Sequence, residues 1–331
     1  MWQRMADSVR ATRMPPWSAI VSWVLAGGSA LGALVRMLGL DHGAPLVQLI
    51  AFTPYVALGS VLAAVVAGLS RRWWALGAAG LAAVALAGCV VPRAFASDRA
   101  QAAEGTTLEI MSANLRVGGA DARSIVDLVR DAQVDVLALQ EYTADAELAL
   151  LDAGLADLLP YREAHPEPGV RGSAIYARVA LTDGGFRVAA PGNLGQAYAT
   201  ITLPGAAPVV IESVHPIPPI DAELTAMWEA GIRHQVRADV PGPRRILAGD
   251  FNATFDHHAF RDLLDTGYRD AAAEVGEGLT ATWPYYGRRS FVTPRITLDH
   301  VLVPAGVGVR DFRAVTIPRT DHRAIVATLT T

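Results

Sequence analysis

Apolar and polar positions divide the chain into two parts with different periodicities. Residues 17–35, 45–69 and 73–91 form three uncharged stretches rich in Ala, Leu, Val and Gly. Each supplies the roughly 18–20 apolar residues that a helix needs to cross a bilayer. Trp17, Trp23, Trp73 and Trp74 sit near the ends of these stretches, as interfacial anchors do. Pro54 falls inside the second stretch, where neighbouring helices can cover the carbonyl it frees. From Thr107 onward, short β-type runs alternate with helical spacing and Gly/Pro punctuation. Strands are expected at 108–114, 134–139, 173–177, 197–203, 208–214, 245–248, 296–303 and 323–328, and helices at 122–132, 146–159, 221–239 and 257–264. Two halves, each of β runs interleaved with helices, predict an α/β layered sandwich with the helices outside. The expected organisation is therefore an anchor of three transmembrane helices over residues 1–92, a linker over 93–106 and a folded domain over 107–331.

Charge follows the same division. Through Glu104 eight Arg face four acidic residues, and beyond it 20 Arg face 28, within a chain that has no Lys and a net charge of −4. The folded domain is thus acidic by eight, which weighs against extended nucleic-acid binding by a basic surface. Arg4, Arg10 and Arg13 precede the first stretch, and Arg71-Arg72 separate the second from the third. Positive-inside reasoning places those arginines in the cytoplasm and everything after Pro92 outside, although Arg36, Arg93 and Arg99 weaken the asymmetry. The expected location is the plasma membrane, multi-pass, with an extracytoplasmic domain. Cys89 is the single cysteine, so no intrachain disulfide forms. Leu86-Ala87-Gly88-Cys89 is similar to a lipid-attachment box, but after two earlier stretches it reads as an ordinary helix end.

Candidate chemistry lies at the ends of the expected strands. The chain reads Leu247-Ala248-Gly249-Asp250-Phe251-Asn252, then Thr297-Leu298-Asp299-His300, then Thr320-Asp321-His322-Arg323. Carboxylates, an amide and an imidazole after short apolar runs are the inventory for metal-assisted attack on a phosphate ester. Asp250 and Asn252 lie two apart, so on extended backbone they share a face and can meet one phosphate.

The order Asn114, Glu141, His215, Gly249-Asp250-Phe251-Asn252, Asp299, Asp321-His322 resembles the endonuclease/exonuclease/phosphatase superfamily of DNase I-like enzymes, over residues 107–328. The resemblance implies a four-layer α/β/β/α sandwich, here preceded by the three transmembrane helices. It also implies that Glu141 ligates Mg²⁺, with Mn²⁺ as the alternative, and that Asn114 beside it and Asp321 complete the metal site. Asp250 would position or activate the attacking water, and Asn252 would donate to a non-bridging oxygen. His322 would be the general base or a phosphate contact, with Asp299 fixing its tautomer, and His215 would bind phosphate or protonate the leaving oxygen. Arg171 would clamp phosphate. Arg116 stands where many members carry a different polar residue and would substitute as a phosphate contact.

The implied activity is hydrolysis of a phosphodiester or phosphomonoester by metal-assisted water attack. Its implied partners are a nucleic-acid or lipid head-group substrate and the lipid bilayer, and no obligate protein partner is evident. The alternative is a catalytically silent binding or scaffold module that kept the fold; the completeness of the residue set argues against it. His257-His258 read as the start of a helix, and His234 and His300 as surface or packing residues. Trp283, Tyr285 and Tyr286, followed by Arg288-Arg289, read equally as a substrate wall or a packed loop.

Overall fold

The computed structural model describes residues 15–97 and 105–331. Arg4, Arg10, Arg13 and linker residues 98–104 lie outside the described residues. The chain separates into two compact units, one formed by the chain through Leu38 with Thr53–Cys89, the other by Gly39–Phe52 with Val90–Thr331.

Helices in the first part of the chain are α1 (Pro16–Leu38), α2 (Leu46–Ile50), α3 (Thr53–Leu69) and α4 (Trp73–Val90). Two helical stretches, Trp17–Leu38 and Trp73–Ala94, are long and apolar enough to cross a membrane, and α3 is a shorter apolar helix. The expected second span, residues 45–69, is therefore divided. Its first part is the five-residue α2, and the chain turns at Ala51-Phe52 before α3 begins. Pro54 explains the division: it occupies the first turn of α3, where no backbone N–H is needed, and cannot lie inside a longer helix without breaking the ladder. Within the first unit, Ala26, Ala63, Ala67, Ala75 and Ala79 are buried together, and side chains this small let helix backbones approach closely.

Among the described residues the second unit holds twelve strands in two sheets. They are β1 (Thr107–Asn114), β2 (Val136–Gln140), β3 (Tyr161–His165), β4 (Ser173–Ala177), β5 (Leu181–Val188), β6 (Gly195–Ile201), β7 (Val209–Val214), β8 (Arg244–Asp250), β9 (Arg269–Asp270), β10 (Asp299–Val303), β11 (Gly308–Thr316) and β12 (Arg323–Thr330). One sheet runs β11-β12-β1-β2-β4-β3 and the other β5-β6-β7-β8-β10-β9. Each sheet has one parallel pair at its centre, β1 with β2 and β7 with β8, flanked by antiparallel neighbours.

Strand alternation builds the layers. Leu108, Ile110, Val136 and Ile175 of the first sheet meet Ile201, Ile211, Ile246 and Val301 of the second in a buried core between them. The opposite face of the first sheet, with Met111, Leu137 and Leu139, packs on α5 (Ala122–Asp131), α6 (Ala144–Asp152) and α7 (Leu155–Leu158). The outer face of the second, with Val214 and Leu247, packs on α8 (Ala222–Arg233) and α9 (His258–Leu264). The result is the expected four-layer α/β/β/α arrangement. Side chains of Asp121, Thr143 and Asp221 cap α5, α6 and α8 by accepting N–H groups three residues on. The expected helix over 146–159 is broken at Gly154, whose φ of +92° suits glycine and no longer continues the helix.

Two segments from the anchor region belong to this unit. His257 Nε2 lies 3.0 Å from the Val47 carbonyl, and the Asp41 carboxylate accepts from the His258 N–H at 2.8 Å. Thr254 donates its N–H to His257 Nδ1 at 2.8 Å, so the ring proton resides on Nε2 and is given to Val47. Beyond α4, the Arg93 guanidinium forms two hydrogen bonds, of 2.9 and 2.6 Å, to the fully buried Asp256 carboxylate. Ala96 then pairs with Val275 as an isolated β-bridge. The start of the expected linker is thus fastened to the domain by a buried ion pair. Removing one partner of such a pair leaves the other charge buried and uncompensated. Arg93→Ala is expected to destabilise the domain by about 3–5 kcal/mol, read as a lower melting temperature of the detergent-solubilised chain; an unchanged melt would remove this account of how the segment is held.

Candidate active site

The parallel pairs at the two sheet centres deliver their carboxyl ends to the same edge. Asn114 is the last residue of β1, Glu141 follows β2, His215 follows β7 and Asp250 ends β8. Their antiparallel neighbours start there: Asp299 opens β10 opposite Asp250, and Asp321-His322 precede β12. Below this edge the inward positions turn from apolar to polar. Gln140 joins Ser112 in the same sheet at 3.2 Å and donates to Ser213 of the other at 2.9 Å. α8 supports the arrangement from outside, where the Trp228 indole donates to the Phe251 carbonyl at 3.1 Å, between Asp250 and Asn252.

The Asn114 amide lies between two carboxylates from different sheets. Its Nδ2 donates to Glu141 Oε1 and to Asp250 Oδ2, each at 3.1 Å, while its Oδ1 accepts from the Arg116 N–H at 2.8 Å. That backbone donor fixes which end of the amide is oxygen. Asn114 therefore shows nitrogen to the carboxylates and joins them. Glu141 Oε2 accepts from the Val117 N–H at 2.5 Å. Asp250 Oδ1 accepts from the Asn252 N–H at 2.8 Å, and Asn252 donates its amide to the Pro216 carbonyl at 3.1 Å. Arg116, Val117, Glu141 and Asn252 have φ values of 48°, 55°, 55° and 48°. Left-handed backbone costs L-residues energy, most for a β-branched side chain such as Val117, and its concentration here marks a site held in place by its surroundings.

His322 Nδ1 lies 2.9 Å from Asp299 Oδ2, and its Nε2 lies 3.5 Å from Asp250 Oδ2. Asp299 is positioned by its own N–H, which donates to Thr282 Oγ1 at 3.1 Å. His215 Nε2 stands 3.8 Å from Asp250 Oδ2 and 4.0 Å from Glu141 Oε1. The Asp321 carboxylate accepts from the Trp283 indole at 3.1 Å and pairs with Arg116 at 3.5 Å. Electrostatics divides these groups. Burial raises Glu141, against its hydrogen bonds from Asn114 and Val117. Burial also raises Asp250, with His322 opposing and Asp299 adding to the shift. Burial lowers His215, so its ring is neutral near pH 7. Burial would lower His322 too, but Asp299 and Asp250 outweigh it and push the imidazole up to about 10.

Asp250, Asp299 and His322 each place a ligand-type atom within 4.8 Å of the others, an acidic site able to hold a metal ion. His322 is protonated at neutral pH and engaged with Asp299, so it offers a cation no lone pair in this state. Hard oxygens are instead offered by Asp250 and by Glu141, whose side chain is 14% exposed. Four acidic groups, Glu141, Asp250, Asp299 and Asp321, face His322 and Arg116; burial is the main cause of the upward shifts of Glu141 and Asp250, with smaller additions from Asp321 and Asp299 respectively. The donor set fits a hard divalent cation.

Above these residues opens a cavity of about 650 Å³, lined by Arg116, Glu141, His215, Asp250, Asn252, Asp321 and His322. Asn114 and Asp299 stand behind it as buried supports. Arg171 is not among its lining residues; exposed, it lines an adjoining hollow with Glu167 and Phe186. It belongs to a turn before β4, so strand alternation does not direct its side chain inward. His257 lines the cavity but is occupied with Thr254 and Val47, His300 is buried against Asp270, and His234 is at the surface. Trp283, Tyr286, Arg288 and Arg289 line the cavity, whereas the Tyr285 ring lies against Arg295 and Arg323. Sequence reasoning missed Val47, Gln48, Ala51 and Phe52, which line it from the segment between α1 and α3. The broken helix at Pro45 and Pro54 was the available signal.

A model described as the endonuclease/exonuclease/phosphatase family matches residues 111–322. Among solved structures, an endonuclease/exonuclease/phosphatase from Beutenbergia cavernae is similar at 19% identity and a TM-score of 0.53, over 68% of this chain and 71% of that one. Danio rerio TDP2 complexed with a single-strand DNA product is similar at 17% identity and a TM-score of 0.54, over 68% and 100%. The 3′ phosphatase NExo from Neisseria, bound to a product DNA hairpin, is similar at 21% identity and a TM-score of 0.51, over 66% and 98%. At these identities the likeness is one of fold. No curated protein matches the chain.

The histidine–carboxylate pair can be tested without substrate. A pKa raised on folding contributes stability that is complete below 6.5 and is lost as pH rises towards about 10. In chelator, Asp299→Asn is expected to lower the His322 pKa, followed by NMR titration of the imidazole, and to flatten the fall in melting temperature across that interval. An unmoved titration would show that Asp299 does not hold the proton on the ring.

Proposed function

Because the chain belongs to the endonuclease/exonuclease/phosphatase family, we propose that it is a membrane-tethered phosphoesterase that uses Mg²⁺, or Mn²⁺, to hydrolyse a phosphodiester or phosphomonoester. The observation that carries this reading is the meeting of Glu141 and Asp250, from different sheets, on one amide beside the His322–Asp299 pair. The cation would be held by Glu141 and Asp250, and when bound it supplies neutralisation of charge on the phosphate oxygens.

The chain's own residues do the rest. Asp250, its basicity raised by burial, accepts the proton of the attacking water. The water oxygen bonds to phosphorus, the opposite P–O bond breaks, and the leaving oxygen takes a proton from solvent at the open face of the cavity. Asn252 keeps one amide hydrogen free of Pro216 for a non-bridging oxygen. His322, charged through Asp299 and Asp250, opposes the negative charge that develops on the phosphoryl group. His215, neutral through burial, serves as an N–H donor to phosphate. Arg116, stacked 5.0 Å over the Tyr286 ring, reaches phosphate from the cavity wall.

Three helix passes, α1, α3 and α4, tether the domain, and positive-inside reasoning keeps it outside the cytoplasm. α3 has 17 residues, at the lower bound for a crossing.

Two measurements on the full detergent-solubilised chain test the reading. Glu141→Ala and His322→Ala are each expected to lower Mg²⁺-dependent hydrolysis of a chromogenic phosphodiester by about 10²-fold or more, and full turnover by both would remove the mechanism. Separately, Mg²⁺ at about 100 times its dissociation constant should add about 2.7 kcal/mol of stability, visible as a rise in melting temperature that Glu141→Gln largely loses. A melt indifferent to Mg²⁺ and Mn²⁺ would indicate a silent module.

A further inference from the structure

The cavity that holds the carboxylates extends along a wall that phosphate chemistry does not need. Val47, Ala51 and Phe52 of Gly39–Phe52 form it with Ile220, Trp283 and Ile296. Ala51, Ile296 and Leu298 are buried together, with Phe52 and Trp283 packed on them. The wall is built in. Gln48 donates to the Pro219 carbonyl at 2.6 Å and to Thr225 at 2.9 Å, and the Gly43 N–H donates to Glu229 at 3.0 Å. With the His257–Val47 and Asp41–His258 bonds, the segment is fixed by partners from α8, α9 and the loops before them.

Apolar surface continues at the mouth. Ile220 is 69% exposed, and Phe291 and Val292, 88% and 69% exposed, stand between the lining residues Arg289 and Thr293. Exposed apolar groups within a polar rim mark contact with an apolar phase. Arg116, Arg288 and Arg289 line the same cavity, where they can meet anionic head groups. Phe52 directly precedes the first residue of the apolar helix α3.

We propose that the cavity takes an amphiphilic phosphate ester of the membrane, its apolar chain along Val47, Ala51 and Phe52 and its phosphate at Asp250 and Asn252. The inference rests on the phosphoesterase reading and names the substrate class for it. A nucleic-acid strand fits less well, because the domain is acidic by eight and lacks the net positive charge that tracks a phosphate backbone.

Full-length protein in lipid nanodiscs with Mg²⁺ would be assayed on methyl, butyl and hexyl p-nitrophenyl phosphate. Burial of about 0.8 kcal/mol per methylene sets a ceiling of about fourfold per carbon, so kcat/KM should rise roughly tenfold or more from methyl to hexyl. Ala51→Trp, which fills the cavity, and Phe52→Ser, which removes apolar wall, should each lower the hexyl-to-methyl ratio by about fivefold or more. Should Ala51→Trp fail to fold, Phe52→Ser and the wild-type series give the same reading. A flat series, an unchanged ratio in the folded variants, or a higher kcat/KM on a single-stranded oligonucleotide than on the hexyl ester overturns the inference while leaving the phosphoesterase reading intact. Absence of turnover on every ester and on the oligonucleotide, with Mg²⁺ and with Mn²⁺, overturns both.

Discussion

The Asn114 side-chain amide joins a carboxylate of each sheet where the two converge. Asn114 gives one hydrogen to Glu141, on the first sheet, and one to Asp250, on the second, and its oxygen is tied to the Arg116 backbone. Two carboxylates drawn towards one donor sit closer than their charges would choose, and burial raises both pKa values. An aliphatic side chain at 114 would leave each carboxylate short of a donor and let the sheets' ends separate. The amide is also fixed from below, since Thr320 donates its hydroxyl to the Asn114 carbonyl at 2.8 Å and accepts the His322 N–H at 3.2 Å. The backbone positions of Asn114 and His322 are thus linked through one hydroxyl.

Strained backbone at the site is possible because the strands beneath are not strained. β1 and β2 pair in register from Ile110 with Val136 to Asn114 with Gln140, and the chain departs into left-handed conformations only after the ladder ends, at Arg116, Val117 and Glu141. The same change follows β8, where Asp250 closes the ladder and Asn252 has a positive φ. Rigid ladders ending in short irregular turns hold the reacting groups within reach of one another while leaving their outer faces open.

The legible part of the sequence was its interior. All eight strands expected from apolar runs are the inner strands of the two sheets, and β3, β5, β9 and β11, which went unseen, are the four edges. Edge strands bury one side or none and carry charge against unwanted pairing, as Arg162 and Glu163 do in β3 and Arg310, Asp311 and Arg313 in β11, so their alternation is erased. Asn114, Glu141, His215 and Asp250 were legible for a related reason, since each lies where an apolar run reaches its ladder's end. Arg171 misled because it lies in a turn, where no periodicity governs direction. Residues 45–52 misled because hydropathy records the absence of charge and not the destination. A span and a cavity wall are written in the same residues, and only Pro45 and Pro54 distinguish them.

Charge at the site also dictates an order of events. Glu141, Asp250, Asp299 and Asp321 against His322 and Arg116 leave an excess of two negative charges before any substrate arrives, if all four acids are ionised. A phosphate brings more, and two like charges about 4 Å apart repel by roughly 4 kcal/mol at the effective dielectric of a protein surface. Substrate binding against that repulsion would consume most of the affinity a small ligand can gain. A divalent cation held by Glu141 and Asp250 would cancel the excess. The acids that make the empty site unfavourable for phosphate would therefore make a cation-loaded site favourable, and binding of the two would be cooperative through the residues that line the cavity.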